Sequence, residues 1–396
     1  MMVSGTAADC SLARPAASCP AMGPDADRYD IAVLGGGMLG SAIAFGCAEG
    51  GARVAVIDEG DVALRAARGN FGLVWSQGKG DGMPAYAAWT RRSLSLWPAL
   101  AERISVLAGR DSGYRAEGGL AFCLGEAEFA DRQEKVQRLH NQGQPGLVML
   151  DRRGLQELMP ACPLGPEVTG ASYQPADGHA DPLTLLRGFK AGFLLAGGAM
   201  LNGASITTIE PIAGGYKVHR ADGSSVRAAK IVIAGGLGTP KLAAQVGLDV
   251  PVRPVRGQNL VTERLAPILP LPASAIRQTT DGTIQIGVTN EDDGTYDPIT
   301  RSTDLARMAA RAVRVLPPIA RARIVRSWGA LRPMTPDGFP AYAESPTHPG
   351  AFVAVCHSAV TLAAVHAGPL ARGILDGRLP DDVATLHPRR FHVPAN

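Results

Sequence analysis

Several features that would place this sequence in a familiar class are missing or scarce. Its 6 cysteines form no CxxC pair, and no histidine or cysteine group has the spacing of a zinc or iron–sulfur site. The net charge of +3 is too small and too dispersed for a nucleic-acid-binding surface. No apolar run approaches the roughly 20 residues of a transmembrane helix. We therefore expect no bound metal, no nucleic-acid partner, no membrane span and a reducing, cytoplasmic location.

What the sequence does contain is a large apolar fraction and many glycines. Hydrophobic residues make up 46% of the 396 positions, enough for a sizeable core, and this length favours two domains or two interleaved subdomains. The 48 glycines are expected where backbone turns tightly or approaches a ligand. Residues 1–28 are rich in Ala, Ser, Pro and Gly and lack the apolar run of a signal peptide, so we interpret them as a disordered extension.

The first segment predicted to be ordered carries a dinucleotide-binding motif. A predicted buried strand, "YDIAVL", leads into "GGGMLG", which supplies Gly35, Gly37 and Gly40 in GxGxxG spacing at the start of a predicted helix. Asp58 ends the next predicted strand, where a carboxylate can accept hydrogen bonds from a ribose. This order predicts an adenine dinucleotide, NAD or FAD, at the helix N-terminus. The predicted contacts are Gly35, Gly36, Gly37, Met38, Leu39, Gly40, Asp58 and Glu59.

A second glycine cluster favours FAD over NAD. The segment "KIVIAGGLGTPKLA" closes a predicted strand about 200 residues after the motif. Its Ala234, Gly235 and Gly236 are small enough for close approach to the same dinucleotide. An ordinary strand-to-helix turn is the alternative interpretation. Because the first motif also stands at the start of the ordered chain, we expect FAD.

Proline and aspartate positions predict where two helices begin or break. The pattern "MPAYAAWTRRSLSLWPALAERISVL" predicts a helix that Pro98 interrupts, since proline lacks the N–H that a helix interior uses. Asp181 and Pro182 predict a helix start, with the aspartate as N-cap and the proline in the first turn.

Several ordered blocks resemble the D-amino-acid oxidase superfamily of FAD-dependent amine oxidoreductases, over about residues 29–393. These blocks are "IAVLGGGMLGSAIAF", "VAVIDEG", "DGHADPLTLL", "IVIAGGLGTPKLAAQVGLDVPVRPVRGQ", "IQIGVT" and "SWGALRPMTPDGFPAY". The segment "RGNFGLVWSQGKG" is similar to the β-type FAD subunits of opine oxidases and D-hydroxyproline dehydrogenases. Glycine oxidase, sarcosine oxidase β subunits and hydrogen cyanide synthase subunits belong to the same superfamily.

This resemblance implies an α/β fold, in which a Rossmann-like FAD-binding domain is interleaved with a mixed-sheet α+β substrate domain. On that division the FAD-binding domain comprises residues 29–80, 165–255 and 325–396. The substrate or interface domain comprises residues 81–164 and 256–324.

The resemblance also implies a reaction and partners. The reaction is oxidation of the C–N bond of a D-amino acid or secondary amino acid, either D-hydroxyproline-like or an opine, by hydride transfer to flavin N5. The chain would be the β subunit of a hetero-oligomeric dehydrogenase, with α and γ partners that carry an iron–sulfur or second flavin centre. An additional FMN at a subunit interface and peripheral membrane association through partners are further possibilities.

Two other functions stay open at this point. One is a glycine-oxidising enzyme of the glycine oxidase or hydrogen cyanide synthase type. The other is an electron-relay subunit that needs its partners for catalysis. Because the chain has no ferredoxin-like cysteine set, its electrons must pass to oxygen or to another subunit.

The resemblance assigns substrate contacts to Arg332 and His357. Arg332, in "GALRPMTPDG", stands where glycine-oxidase-like members have an arginine that binds the substrate carboxylate in a two-pronged contact. His357 is placed at the flavin or substrate edge. A buried ion pair for the arginine and a structural role for the histidine are the alternatives. The backbone predicted to face the flavin pyrimidine ring is that of Ser358, Ala359, Val360 and Thr361.

Two departures from the glycine oxidase pattern concern substrate handling. Ala359 and Val360 stand where that pattern has an arginine. The tyrosine expected before the "IQIG" strand is also missing, Ala275 being nearest. Both departures argue against a simple glycine-oxidase mode of substrate binding.

The segment "ARGNFGLVWSQGKG", residues 67–80, is interpreted as a loop along the isoalloxazine ring. Its glycines would leave room for the ring, and the Asn70 amide could donate to a flavin carbonyl or N5. The predicted contacts are Arg68, Gly69, Asn70, Phe71, Gly72 and Leu73. Gln77 and Lys79 are left open between the substrate, a second flavin and solvent.

Overall fold

A central parallel strand organises the fold. In the computed structural model, which describes residues 28–60, 66–287 and 289–392, β1 (Arg28–Leu34) pairs on both sides with parallel neighbours. Its residues Ile31 to Leu34 are buried, as a continuous apolar run in a doubly covered sheet predicts. All but the last residue of the predicted N-terminal extension lies outside the described residues.

The other strands of the described residues follow in chain order. They are β2 (Val54–Asp58), β3 (Leu73–Val74), β4 (Gly119–Leu124), β5 (Val148–Asp151), β6 (Val168–Gln174), β7 (Gly178–His179), β8 (Ala199–Asn202), β9 (Ile206–Ile212), β10 (Gly215–Arg220), β11 (Ser225–Ile233), β12 (Arg253–Arg264), β13 (Ile276–Gln278), β14 (Thr283–Gly287), β15 (Ile324–Met334), β16 (Ala341–Glu344) and β17 (Ala351–Val355).

The α-helices of the described residues are named in the same way. They are α1 (Met38–Glu49), α2 (Pro84–Ala108), α3 (Glu126–Asn141), α4 (Arg152–Leu158), α5 (Pro182–Leu195), α6 (Thr239–Ala243), α7 (Ser302–Val315), α8 (Ala363–Val365) and α9 (Ala371–Asp376). A π-helical turn, His366–Leu370, joins α8 to α9. No helix among these described residues is both long and apolar enough to cross a membrane.

The largest sheet has the strand order β16-β17-β11-β1-β2-β8, with the β9–β10 hairpin beside β11. Strands β17, β11, β1, β2 and β8 run parallel to one another, and β16 is antiparallel at the edge. One face packs against α1, α2, α5 and the α8–α9 region, and the opposite face packs against α6 and the hairpin. This arrangement confirms the predicted α/β fold with a Rossmann-like domain.

Smaller sheets form the other side of the molecule. One has the order β13-β14-β12-β15 and is antiparallel, and another has the order β4-β6-β5. A separate hydrophobic core lies between these sheets, α4 and α7. The two-residue strands β3 and β7 pair near the junction with the large sheet.

The domain division stays a prediction, and the sheets show where its boundaries cut continuous elements. The boundary at 255/256 falls inside β12, and the boundary at 324/325 falls inside β15. Strand β6 pairs with β4 and β5, although it was assigned to the FAD-binding side. Helix α2 was assigned to the substrate side, but its buried tryptophans belong to the core beneath the large sheet.

The predicted break at Pro98 is wrong. Helix α2 continues through Pro98 to Ala108. A proline inside a helix costs about 3 kcal/mol through its missing hydrogen bond and its clash with the preceding turn. Trp89 and Trp97, both at most 1% exposed, are buried from the same helix, and their packing offsets that cost. The start of α5 is as predicted, because the Asp181 carboxylate accepts hydrogen bonds from the N–H groups of Leu183 and Thr184.

His366 gives the fold a pH-dependent stability. Its ring is fully buried, its Nε2 atom lies 2.7 Å from the Tyr342 hydroxyl oxygen, and burial lowers the pKa of His366 to about 3. In the unfolded chain a histidine has a pKa near 6.5. Between these two values the unfolded state binds the extra proton, so stability is complete above pH 6.5 and falls as the pH decreases.

We expect lowering the pH from 7 to 5 to reduce the free energy of unfolding by about 2 kcal/mol through His366. Denaturant unfolding at both pH values measures this quantity, and His366→Phe should remove that part of the pH dependence. His392→Phe, which changes an exposed histidine, is the control. An unchanged pH dependence in the His366→Phe protein would contradict the assignment.

Candidate functional site

Glycine is needed at the three motif positions for different physical reasons. Gly35 has a φ of +116°, and a Cβ there would lie 2.5 Å from the carbonyl oxygen of Ala234. A Cβ on Gly40 would lie 1.9 Å from the carbonyl oxygen of Gly35. A Cβ on Gly37 would meet no protein atom within 4 Å. Gly35 and Gly40 are therefore required by the protein's own packing, whereas Gly37 leaves open space before the N-terminus of α1.

Asp58 supports the glycine turn. Its carboxylate accepts hydrogen bonds from the N–H of Gly36 at 2.6 Å and of Gly60 at 2.9 Å. The side chain also lines the cavity in front of the turn, where a bound ribose could reach it. The predicted contact between Asp58 and the ribose stays a prediction. Asp58 also holds the glycine turn in place.

One cavity of about 760 Å³ extends from the glycine turn to β15 and the start of α8. It brings together Arg332, His357 and most of the predicted cofactor contacts. The predicted cofactor contacts that line it are Gly35, Gly37, Met38, Leu39, Asp58, Glu59, Gly69, Asn70, Phe71, Leu73, Ala234, Gly235, Gly236, Ser358, Ala359, Val360 and Thr361. The predicted contacts that lie outside its lining are Gly36, Gly40, Arg68 and Gly72.

In the loop after β2, two glycines are required by close contacts with other segments of the protein. A Cβ on Gly69 would lie 2.3 Å from the Ala330 Cβ on β15. Gly72 has a φ of +90°, and its Cβ would lie 2.5 Å from the carbonyl oxygen of Ala180. These glycines therefore permit contact between protein segments, and the predicted contact of the loop with the flavin ring stays a prediction. Asn70 uses its side-chain oxygen to accept the Gly72 N–H at 2.8 Å.

Gln77, which the sequence left open, has a structural role. Its Nε2 donates to the Gly119 carbonyl at 2.9 Å, and its Oε1 accepts from the Ser172 hydroxyl at 2.7 Å. The buried Asp177 carboxylate accepts hydrogen bonds from Ser76 and from the Gln77 N–H, and burial raises the pKa of Asp177 to about 6. These bonds fix the turn that carries Lys79.

Arg332 lies on β15 and points its guanidinium along the cavity wall. Its Nη2 donates to the Thr289 carbonyl at 2.8 Å, and its Nη1 donates to the Arg256 carbonyl at 3.3 Å. A Cβ on Gly257 would lie 2.1 Å from Nη2, so this glycine is required for the position of the guanidinium. Burial lowers the pKa of Arg332, which has no salt bridge among the described residues. Gly257 was missed because no sequence motif marks it.

A buried ion network positions the loop after β14, residues 289–301. The fully buried Arg256 side chain pairs with Glu291 at 2.6 Å and with Asp293 at 2.7 Å. The loop provides the Thr289 carbonyl that Arg332 contacts, and it places Tyr296 at the cavity. The glycine oxidase pattern has a tyrosine before β14, whereas Tyr296 lies after that strand. The resemblance therefore did not indicate Tyr296.

Ser358 is the centre of a polar group at the cavity. Its Oγ atom accepts from Lys79 Nζ at 2.6 Å and from the Tyr86 hydroxyl at 3.0 Å. It also lies 3.1 Å from His357 Nε2. Burial, followed by the positive charges of Lys79 and Arg332, lowers the pKa of His357 well below 6.5, so this histidine is neutral. Because the Ser358 oxygen already accepts two hydrogen bonds, its hydroxyl donates to Nε2 of neutral His357.

Comparison with known proteins gives the family. A profile of the FAD dependent oxidoreductase family (DAO) matches residues 30–372. The B-type subunit of opine oxidase from Agrobacterium tumefaciens (strain Ach5) is 39% identical over 370 residues, which cover 92% of this chain and 98% of that protein. Its counterpart from Rhizobium meliloti is 38% identical over 368 residues, which cover 92% and 98%.

Solved structures agree with this result. The crystal structure of glycine oxidase from Geobacillus kaustophilus matches with a TM-score of 0.85 and 27% identity, and the match covers 93% of this chain and 100% of that one. The chain therefore belongs to the FAD-dependent oxidoreductase family that contains D-amino-acid oxidase-like enzymes. Its cofactor is FAD, and it is an oxidoreductase.

The cavity fits FAD on physical grounds. Open space at Gly37 and unpaired N–H groups at the α1 N-terminus suit a pyrophosphate. Lys241, on α6 just after the second glycine cluster, also lines the cavity and can contact an anionic group. At the other end, residues 355–361, which lead from the end of β17 toward α8, line the cavity, and the contact of their backbone N–H groups with the flavin ring stays a prediction.

Gly37→Ala and Gly40→Ala distinguish a glycine that leaves space for the cofactor from one that the packing of the protein requires. We expect Gly37→Ala to keep the melting temperature of the apoprotein and to weaken FAD binding at least about tenfold, since its methyl group would occupy cofactor space. Gly40→Ala should lower the melting temperature as well, because its methyl group meets the Gly35 carbonyl. Fluorescence titration with FAD and thermal unfolding measure both effects.

The control is Gly368→Ala, where a Cβ would also meet nothing within 4 Å and which lies outside the cavity. It should change neither quantity. FAD affinity of the Gly37→Ala protein equal to that of the control would show that Gly37 does not face the cofactor.

Proposed function

We propose that the protein oxidises the C–N bond of a D-amino acid or secondary amino acid, D-hydroxyproline-like or an opine, as the FAD-bearing subunit of a hetero-oligomeric dehydrogenase. The observation that carries this proposal is Arg332, whose hydrogen-bond partners among the described residues are backbone carbonyls and which lines a cavity that suits FAD. A guanidinium in this situation binds a carboxylate in a two-pronged contact. The amino acid would therefore be held by its carboxylate beside the flavin end of the cavity.

The chain's own residues would orient the substrate and favour its neutral amine. Arg332 binds the carboxylate, and the apolar wall formed by Phe71, Trp75 and Leu331 disfavours an ammonium ion. His357 is neutral, so it adds no charge at this end of the cavity. Positioning then provides most of the catalysis, and no strong base is required.

The reaction is a two-electron oxidation whose acceptor is the cofactor. The hydrogen on the α-carbon leaves with its electron pair, and the nitrogen lone pair forms the C=N bond of an imine. FAD supplies the acceptor for that hydride when it is bound. The nitrogen gives one proton to water as the imine forms. With an acyclic substrate, water then adds to the C=N bond and releases the amine and a 2-oxo acid, whereas a cyclic amino acid gives a cyclic imine.

Glycine oxidation of the glycine oxidase or hydrogen cyanide synthase type is the second candidate. It is favoured by the match to the Geobacillus glycine oxidase structure. Against it stand the alanine and valine at 359 and 360 and the missing tyrosine before β14, where the glycine oxidase pattern has an arginine and a tyrosine. The higher identity to the opine oxidase relatives also favours the first candidate.

The hetero-oligomer rests on the names of the opine oxidase relatives, which describe each as one of several subunits, and on the chain's own redox groups. The cysteines of the described residues, Cys47, Cys123, Cys162 and Cys356, are buried, and no metal-binding cluster occurs among those residues. We infer that electrons pass from the flavin to a partner subunit with an iron–sulfur or second flavin centre. A flavin that reduces with an amine but reoxidises slowly in air would support this inference.

Anaerobic mixing of the FAD-loaded protein with candidate amines tests the proposal directly. Bleaching of the flavin absorbance by cis-4-hydroxy-D-proline or by an opine supports the first candidate, and bleaching by glycine alone supports the second. A flavin that no amine reduces without partner subunits would favour the electron-relay alternative.

Arg332→Lys should weaken substrate binding by about tenfold to a hundredfold while the flavin content stays near that of the wild type. The lysine loses the second hydrogen bond of the planar fork, and hydrogen bonds to charged groups contribute about 1.5–3 kcal/mol. The concentration dependence of the bleaching rate measures this change. Arg326→Lys, an exposed position on the same strand, is the matched control. Unchanged substrate affinity in the Arg332→Lys protein would rule out the carboxylate contact.

A further inference from the structure

The cavity contains a second cation that the one-carboxylate reaction does not use. Lys79 lies in the turn between β3 and α2, its side chain is partly buried, and its Nζ lines the cavity at the Ser358 end. The turn is rigid at this residue: the Lys79 N–H donates to the Ser76 carbonyl at 2.9 Å, and the Lys79 carbonyl accepts from Gln144. The backbone that carries this side chain is therefore held in place, and the Ser358 hydroxyl holds its ammonium group.

The protein provides little to neutralise this ammonium group. Its hydrogen-bond partner among the described residues is the Ser358 hydroxyl, and no carboxylate there forms a salt bridge with it. Asp177, which is near enough to influence it, already accepts hydrogen bonds from Ser76 and Gln77. An ammonium group has three N–H donors, so Lys79 retains donors for a ligand.

Lys79, Arg332 and His357 line the same cavity, and Lys79 Nζ and His357 Nε2 both contact the Ser358 Oγ atom. Burial lowers the pKa of both cations, that of Lys79 to about 8, although the charges of Asp177 and Glu291 act in the opposite direction. Partly buried cations that form no salt bridge are unfavourable unless a ligand brings negative charge. A ligand with one carboxylate would satisfy Arg332 alone.

We propose that Lys79 and Arg332 bind two separate carboxylates of one substrate, so that the enzyme prefers amino acids with a second carboxylate group. This inference rests on the proposed amino-acid oxidation and narrows its substrate class. Arg332 holds the carboxylate on the carbon that is oxidised, and Lys79 holds the second one. Lys79 also supplies a cation where Ala359 and Val360 replace the arginine of the glycine oxidase pattern, because its Nζ reaches the neighbouring Ser358.

Pairs of compounds that differ by one carboxylate test this inference on the FAD-loaded protein. Iminodiacetate and N-methylglycine are one pair, which has the second carboxylate on the other nitrogen substituent. D-Aspartate and D-alanine are the other pair, which has it on the side chain. For each compound, calorimetry on the oxidised protein gives a Kd for binding. Anaerobic rapid mixing gives an independent Kd, from the concentration dependence of the reduction rate, together with the limiting rate of flavin reduction.

We expect the wild-type protein to bind one dicarboxylate at least about tenfold more tightly than its monocarboxylate partner. The pair that shows this preference identifies where the second carboxylate lies. Lys79→Met should raise the Kd of that dicarboxylate about tenfold to a hundredfold and leave the Kd of the monocarboxylate near its wild-type value. Lys135→Met is the matched control, because Lys135 lies behind the same turn, beside Gly78, and outside the cavity.

Other outcomes overturn the inference. One is equal affinity of the wild-type protein for both members of each pair, which can be measured even if the Lys79→Met protein fails to fold. Another is an equal change of both Kd values in the Lys79→Met protein, or a changed flavin reduction potential with both Kd values unchanged, which would place the lysine on the flavin. If no amine reduces the flavin but calorimetry still shows the preference, the proposed oxidation fails while the two-carboxylate site stands.

Discussion

The contact between two chain turns, one after β1 and one after β11, is the constraint on which the site depends. Gly35 and Ala234 approach so closely that no side chain fits between them, and Gly40 allows α1 to lie directly on the first turn. The parallel pairing of β1 with β11 holds both turns at the same edge of the sheet. Because this contact is made within the protein, it fixes the two turns that line the cavity relative to each other.

Charged groups are distributed unevenly along the cavity that these two turns line. One end has the N-terminus of α1 and Lys241, while the other end has Arg332 and Lys79, neither of which forms a salt bridge among the described residues. Neutral His357 lines the same cavity. This end of the cavity therefore favours anions over an ammonium ion, which supports the proposed amino-acid substrate with a neutral amine.

The glycine turns and most residues that line the cavity could be predicted from the sequence, but the long-range contacts around them could not. The glycine motif, the α5 N-cap and the second glycine cluster follow local rules of backbone geometry, and most predicted cofactor contacts line one cavity. The continuity of α2 through Pro98 and the reason for Gly69 depend on packing between distant segments, which local patterns do not contain. Lys79 was noticed but could not be placed, because its role depends on a contact with Ser358, 279 positions further along the chain.

The loop of residues 289–301 is fixed from behind by the fully buried Arg256 and contributes no residue to the glycine turns. It nevertheless supplies the Thr289 carbonyl that orients Arg332, and it brings Tyr296 to the cavity. Under the proposed function, the substrate contact of Arg332 therefore depends on a loop that is separate from the glycine turns. A substitution in this loop can shift the guanidinium without changing the packing of those turns.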